Sequence, residues 1–151
     1  MAISTLKLEG SIKKSFKTEI KCSHDFIIDQ PKPMGGQDLG PNPMEIFLAA
    51  IPGCICAIGR IISNQKRLGV RGITVKVEGD IDKDFLLGKT DEGRAGFTEI
   101  RVIADIDADM SVDEKEAFLH EIERRCPIAD NIANTSIVRA VVVERADVES
   151  I

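Results

Sequence analysis

An uncharged run near the middle of the chain is the feature that most limits how this sequence can fold. Residues 46–59 form 14 consecutive positions without a charge, which is too short for the roughly 20 residues that span a bilayer. Asn42, Pro43 and Glu45 stand just before the run as N-cap, first and third helical residues. The run therefore predicts a core helix, and Pro52 is expected to kink it by removing a backbone hydrogen bond.

The rest of the chain combines strand patterns with one further helix. A capping box, Ser111-Val-Asp-Glu114, begins a charged helix whose apolar face carries Phe118 and Ile122. Alternating apolar residues predict strands around residues 73–77 and 100–106. Strand groups that flank two main helices indicate an α+β domain, and the length of 151 residues predicts one domain over residues 1–151. The shorter predicted strands are Ser4–Glu9, Phe16–Lys21, Asp25–Ile28 and Val138–Val143, with turns near Gly10 and Ser23.

Composition and charge exclude several classes of function. The formal net charge is −5 and no long basic stripe interrupts it, so nucleic acid is a poor partner. Trp and Tyr are absent, which removes most platforms on which bases stack. The first ten residues contain no sustained apolar stretch, so we expect no secretory signal and no membrane anchor, and a cytoplasmic location. In that compartment paired cysteines are more often catalytic, redox-sensing or metal-binding than structural.

Two cysteines stand in specific and different surroundings. Cys54 lies within the uncharged run, and Cys126 lies 72 residues further on, directly before Pro127. Pro127 is a good first residue for a new helix, so a helix N-terminus together with Arg124 or Arg125 would favour the thiolate of Cys126. The two thiols suggest a redox pair that folding assembles.

Plainer interpretations of the cysteines stay open from the residues alone. Cys54 is also typical of a small, buried core side chain, and Cys126 of a cap in a tight junction between helices. A metal site is a third interpretation, since Cys22 and His24 lie close together in sequence. The spacing of the possible ligands is not that of a structural zinc site. The remaining possible ligands are Cys54, Cys56 and His120.

Two segments together resemble a known family. The run Gly35-Gly-Gln-Asp-Leu-Gly-Pro-Asn-Pro-Met-Glu-Ile-Phe-Leu-Ala-Ala-Ile-Pro-Gly-Cys54, followed by Arg125-Cys126-Pro127, is similar to the OsmC/Ohr family of osmotically induced and organic-hydroperoxide-resistance proteins. The likeness extends from about Gly10 to Glu144 in the order of the elements as well as in motif.

The resemblance implies an OsmC-like fold, with antiparallel sheets wrapped around two long helices in an intertwined homodimer. It also implies a thiol peroxidase that reduces organic hydroperoxides, with Cys54 as the peroxidatic residue and Cys126 as the resolving residue. Such an enzyme uses a dithiol reductant and needs no bound cofactor or metal. A relative that keeps the fold but only binds an apolar ligand is the alternative.

The chain departs from the family pattern at the groups that activate the thiol. Met44 stands where the family places a glutamate, and Glu45 follows one residue later. On a straight helix Glu45 and Cys54 lie about 180° apart, so a role as a cap is favoured over a catalytic role. No arginine precedes Arg60, so Arg60 or Arg94 are the candidates for the missing cation. The apolar run at residues 85–87 is a candidate lining for a substrate channel, although such runs are more often core.

Overall fold

The computed structural model describes residues 3–143, and its elements form a mixed α+β fold. Three short strands come first, then a long helix, a long hairpin and two helices. The expected α+β class with antiparallel sheets is confirmed. The elements are β1 (Glu9–Ile12), β2 (Thr18–Lys21), β3 (Phe26–Ile28), α1 (Pro43–Lys66), β4 (Gly72–Ile81), α2 (Lys83–Leu86), β5 (Phe97–Asp107), α3 (Val112–Arg125) and α4 (Pro127–Ala133).

Local capping contacts fix where the main helices begin. The Asn42 Oδ1 accepts hydrogen bonds from the backbone N–H groups of Met44, at 2.9 Å, and Glu45, at 3.0 Å. The Glu45 carboxylate in turn accepts the Asn42 N–H at 2.8 Å, which completes the predicted capping box. Ser111 and Glu114 form the same arrangement at the start of α3. Helix α1 continues through Pro52 and ends at Lys66.

The strands form two separate antiparallel sheets. Strands β1, β2 and β3 pair in chain order, and β4 pairs with β5 from Gly72–Asp107 to Ile81–Phe97. Among residues 3–143 no third strand pairs with this long hairpin, so both of its outer edges are free. The connection between β4 and β5 is an excursion at residues 82–96 that contains α2.

The core lies where one face of α1 packs against β4 and α3. Ile55 and Ile62 of α1 and Ile122 of α3 are among its most buried members. Gly59 lets these elements approach closely, because a Cβ atom there would lie 2.5 Å from the Ile73 Cδ1 and 3.1 Å from the Ile122 Cδ1. A side chain at this position would therefore force the ends of the Ile73 and Ile122 side chains to shift.

Helix α1 is longer than the 14-residue uncharged run from which the sequence analysis judged its length. The uncharged run is part of a 24-residue helix, which by length and composition alone is long enough to cross a membrane. The core helix of a globular protein meets the same criterion. One face of α1 packs against β4 and α3, but only 28% of its most apolar window is buried within the described residues.

The predicted strands at the two ends of the chain are wrong. Residues 4–8 form no strand, and Gly10, predicted as a turn, lies within β1 opposite Ile20. Val138–Val143 also forms no strand. A strand needs a neighbour with which to exchange backbone hydrogen bonds. Within the described chain these apolar end segments have none, and Leu6 and Val138 are each 87% exposed.

A buried carboxylate organises the loop that leads into α1. Asp29 is only 1% exposed, and it accepts hydrogen bonds from the N–H groups of Gln30 at 2.8 Å, Gln37 at 3.1 Å and Leu39 at 3.2 Å. Burial by itself would raise the pKa of Asp29, but these three hydrogen bonds outweigh it and lower the pKa below its ordinary value. These hydrogen bonds therefore hold the loop at residues 30–39 against the end of β3, shortly before the helix cap at Asn42.

We predict that Asp29→Asn lowers the melting temperature by several degrees at pH 7, because an amide cannot accept all three hydrogen bonds. Since folding lowers the pKa of Asp29, the stability it contributes is present at neutral pH and is lost as the pH falls below about 4. Thermal unfolding should therefore show the two proteins converging in acid.

The control for this experiment is Asp38→Asn, which removes an exposed charge from the same loop and should leave the melting temperature nearly unchanged. An Asp29→Asn variant as stable as the parent at pH 7 would contradict the structural role of this carboxylate.

Candidate active site

The fold brings Cys54 and Cys126 together. Cys54 lies on α1, and Cys126 is both the last cap of α3 and the first cap of α4. Helix α4 packs against α1 as well as against α3. The Cys126 thiol is one of the groups that shift the pKa of Cys54, so the two sulfurs are neighbours despite the 72 residues between them.

Cys126 is held as a buried cap at the junction of two helices. It is 1% exposed, and its Sγ accepts a hydrogen bond from the Ala129 N–H at 3.4 Å. Pro127 occupies the first position of α4, as predicted. The cap interpretation and the redox interpretation of Cys126 are therefore compatible, since one sulfur can serve both purposes.

The Cys54 thiol is partly exposed and its pKa is raised. Burial is the largest cause of the raised pKa, and hydrogen bonding with Cys126 is the next. The backbone N–H of Ile128, in the first turn of α4, acts in the opposite direction and lowers the pKa. Both sulfurs thus lie near the same helix start: the Ile128 N–H lowers the pKa of Cys54, and the Ala129 N–H donates to the Cys126 Sγ.

Backbone amides, rather than a cation, are the positive groups beside the thiols. In the part of the chain that the structure describes, no lysine or arginine is among the groups that shift the pKa of Cys54. Arg125 donates instead to the Gln65 Oε1 at 3.1 Å and lies 3.8 Å from Glu121. The sequence could not reveal the Ile128 and Ala129 amides as site groups, although the Cys-Pro pair marked a helix start.

The candidate cations and the carboxylate lie elsewhere. Arg60 donates to the backbone carbonyls of Val70 at 2.7 Å and Arg71 at 3.3 Å, so it fastens the far end of α1. Arg94 is exposed in the excursion between β4 and β5, with its guanidinium folded back beside Gly96. Glu45 is occupied as the partner of Asn42 in the capping box.

An aromatic pair lies on the same side of α1 as Cys54. Phe47 precedes Cys54 by seven residues, which is about two helical turns and the same face. Its ring stacks on that of Phe97, with centroids 5.8 Å apart and an interplanar angle of 20°. Phe47 remains 45% exposed. The sequence analysis missed this pair, although the seven-residue spacing was a signal that could have found Phe47.

The candidate channel lining gives a mixed result. Phe85 is half-buried, whereas Leu86 and Leu87 are exposed. Surface hollows of about 280, 260 and 390 Å³ occur on the strands of the N-terminal sheet and between β5 and α3, and neither cysteine lines them.

The structure offers no support for the metal interpretation. Within residues 3–143 no three His, Cys, Asp or Glu side chains are grouped so that they could hold a metal ion. Cys22 donates to the backbone carbonyl of His24 at 3.1 Å, and Cys56 lies 3.6 Å from the carbonyl of Ile73. These two thiols therefore point to different parts of the molecule.

Comparison with known proteins identifies the family. A family model described as OsmC-like protein matches residues 35–140, which is well over half of the chain and includes both cysteines. The chain belongs to the OsmC family. This OsmC-like chain is 23% identical over 97 residues to a hydroperoxide reductase of Mycoplasma genitalium. It is also 25% identical over 103 residues to an uncharacterized protein of Methanocaldococcus jannaschii.

These two alignments cover 64% and 68% of the OsmC-like chain, respectively. They cover only 65% of the mycoplasma relative and 50% of the archaeal one. The chain thus spans less than two thirds of the length of the curated relatives that it matches.

Solved structures share the fold at low sequence identity. An OsmC-like protein from Mycoplasma pneumoniae superposes with a TM-score of 0.75 at 16% identity, covering 87% of this chain and 89% of that one. An organic hydroperoxide resistance protein from Legionella pneumophila superposes with a TM-score of 0.65 at 19% identity, covering 87% and 91%. The OsmC-like fold expected from the sequence is therefore confirmed.

We predict that Cys54 is alkylated slowly by iodoacetamide at neutral pH and faster in alkaline solution, because its raised pKa leaves little thiolate at pH 7. Cys126→Ser should shift this profile toward lower pH, since it removes the neighbouring thiol that raises the pKa of Cys54. Mass-spectrometric rates at Cys54 between pH 6 and 10 measure both effects.

Cys56→Ser is the matched control, because its thiol lies against Ile73 and is not among the groups that shift the pKa of Cys54. An unchanged profile in Cys126→Ser would mean that the two sulfurs do not interact.

Proposed function

We propose that this protein is a thiol-dependent peroxidase that reduces organic hydroperoxides, with Cys54 as the attacking residue and Cys126 as the resolving residue. The observation that carries the proposal is the meeting of a partly exposed thiol with a buried thiol at one helix start. Membership of the OsmC family supports it, as do the hydroperoxide reductase and hydroperoxide resistance proteins that the chain resembles.

The reaction begins at Cys54 because its sulfur is the more exposed of the two. The Cys54 thiolate attacks one oxygen of the hydroperoxide, the O–O bond breaks, and the departing alkoxide takes a proton to become an alcohol. The attacked oxygen stays on the sulfur as a sulfenic acid. Cys126 then attacks that sulfur, which forms the Cys54–Cys126 disulfide and releases water. A dithiol reductant restores both thiols by two exchange steps and leaves as its own disulfide.

The amides at the start of α4 take the place of the missing cation in this proposal. Negative charge on a sulfur is stabilised by N–H groups that no helical carbonyl has satisfied. Ile128 supplies such a group to Cys54, and Ala129 supplies one to Cys126. Because a backbone dipole stabilises charge less than a guanidinium does, we expect a slow enzyme whose rate rises with pH.

Apolar surroundings favour an alkyl or aryl hydroperoxide over hydrogen peroxide. The Phe47 and Phe97 pair presents an exposed aromatic surface about two helical turns from Cys54 on the same face of α1. An organic group gains free energy by covering such a surface, whereas hydrogen peroxide has nothing to bury. The thiol–disulfide cycle also suits the reducing cytoplasm predicted from the sequence.

A homodimer is part of the proposal because the described chain leaves much apolar surface uncovered. Phe47 and Ile61 are 45% and 43% exposed on α1, a helix with a mean hydropathy of 2.0 over its most apolar window. The apolar end segments and the free edges of β4 and β5 lack partners among residues 3–143. A second copy could cover these surfaces by pairing strands and packing α1.

We predict that the reduced protein consumes an organic hydroperoxide in the presence of a dithiol, and that Cys54→Ser reduces turnover to background because the attacking sulfur is lost. In the absence of the dithiol, Cys126→Ser should react once and then stop, leaving a sulfenic acid on Cys54 that dimedone traps, whereas the unmodified protein should form the disulfide. Peroxide consumption and intact mass measure the two outcomes.

Cys22→Ser and Cys56→Ser are the controls for this experiment, and each should keep turnover. No peroxide consumption by the unmodified protein, at neutral or alkaline pH, would contradict the peroxidase. It would favour the alternative in which the protein binds an apolar ligand without turnover. The raised pKa of Cys54 is consistent with that alternative, because it leaves little reactive thiolate at neutral pH.

We predict that light scattering after gel filtration gives twice the mass of one chain, and that Ala57→Glu shifts the protein toward monomer. Ala57 is exposed on the apolar helix α1, and a charge there would have to be buried in the dimer. Ala117→Glu, at an exposed alanine of the charged helix α3, is the matched control and should leave the mass unchanged. A monomer at every concentration would exclude the dimer.

A further inference from the structure

One sulfur carries two duties that compete with each other. In the reduced protein the Cys126 Sγ is the N-cap of α4 and accepts the Ala129 N–H. In the proposed cycle the same sulfur forms a disulfide with Cys54. A thiol sulfur and a disulfide sulfur are both weak acceptors, but the S–S bond fixes the Cys126 sulfur toward Cys54 on α1, whereas the thiol sulfur is free to remain at the cap. The same sulfur is therefore needed in one position for the cap and bound in another direction in the disulfide.

Helix α4 depends strongly on that cap. It has seven residues, and within the described chain none of its side chains is fully buried. Ile128 and Ala129 are the half-buried members. An isolated helix of this length is unstable in water, so α4 depends on its packing against α1 and α3 and on the contacts at its ends. Its other side-chain hydrogen bonds join Asn131 to the Pro127 carbonyl at 2.8 Å, Asn134 to Asp130 at 2.9 Å, and Ser136 to Asn131. Ile128 also packs against the hydrophobic core.

We infer that formation of the Cys54–Cys126 disulfide removes the cap from α4 and opens its first turn, which exposes the otherwise buried Cys126 sulfur to the reductant. This redox switch rests on the proposed function, since the peroxidase cycle is what forms the disulfide. In the reduced state Cys126 is 1% exposed, so a bulky dithiol has no approach to it. Reduction of the disulfide returns the sulfur to Ala129, and α4 closes again.

The switch gives the cycle an order. The closed helix protects Cys126 from direct oxidation while Cys54 meets the hydroperoxide. The opened helix then appears only in the form that needs reduction. The junction makes this possible because α3 ends and α4 begins at the same residue, so a movement of α4 need not disturb the buried face of α3.

The experiment is hydrogen exchange measured by mass spectrometry on the full chain carrying Cys22→Ser and Cys56→Ser, so that only the pair can react. Diamide, an azo compound that takes up the two thiol hydrogens, forms the disulfide without any peroxide. We expect amides 129–133 to exchange about fivefold faster or more in the disulfide form, the effect of losing an N-cap. Amides 118–122 of α3 should not change.

Two substitutions at Cys126 separate the cap from the disulfide. Cys126→Ser keeps an acceptor at the cap, so α4 should exchange slowly with or without diamide. Cys126→Ala has no acceptor, so α4 should exchange fast even without oxidation. Circular dichroism checks that both variants fold. Cys54→Ser, which keeps the cap but cannot form the disulfide, should stay slow after diamide.

The inference is overturned if diamide forms no Cys54–Cys126 disulfide, if the disulfide form exchanges as slowly as the reduced form, or if the alanine and serine variants exchange alike. A different result separates it from the proposed function. If diamide opens α4 but an organic hydroperoxide never forms the disulfide, the switch stands and the peroxidase fails.

Discussion

Gly59 brings α1 directly against the side chains of Ile73 and Ile122, whose Cδ1 atoms would lie only 2.5 Å and 3.1 Å from an added Cβ atom. This close contact is part of the core that packs α1 against β4 and α3, and the position of the site depends on that packing. Because α3 ends at Cys126 and turns directly into α4, fixing α3 against α1 also places the start of α4. The distance between two thiols on different helices is therefore set by core packing, not by the site itself.

The chemistry that this packing permits is unusual in its electrostatics. A reactive thiol ordinarily lies beside a cation that stabilises its thiolate, yet the groups that shift the pKa of Cys54 are a second thiol and the backbone N–H of Ile128. Two arginines that were candidates for stabilising a thiolate have other partners. Arg60 binds a backbone carbonyl near the end of α1, and Arg125 binds the side chain of Gln65. The same helix start that serves the sulfurs also depends on one of them as its cap. In the proposed cycle, reactivity and local stability are therefore linked at Cys126.

Much of the apolar surface of the described chain has no cover of its own. The long hairpin of β4 and β5 has free edges, the end segments expose apolar side chains, and α1 buries only one face. In a small domain the free energy of folding is a small difference between large terms, so uncovered apolar surface of this extent is costly. The proposed dimer would bury this apolar surface, and it would also determine which residues surround the aromatic pair of Phe47 and Phe97.

The sequence by itself determined the features that depend on residues a few positions apart. The capping boxes at Asn42 and Ser111 and the helix start at Cys126-Pro127 were predictable, because each is satisfied within one helical turn. The family motifs also identified the fold. The tertiary structure decided which distant groups meet: Cys54 with Cys126 and the Ile128 amide, and the Asp29 carboxylate with its loop. It also decided that Val138–Val143, despite a strand-like pattern, forms no strand within one chain. Such outcomes depend on partners far away in sequence. Whether a strand is stable depends on the strand with which it pairs, and the pKa of a buried thiol depends on the groups around it.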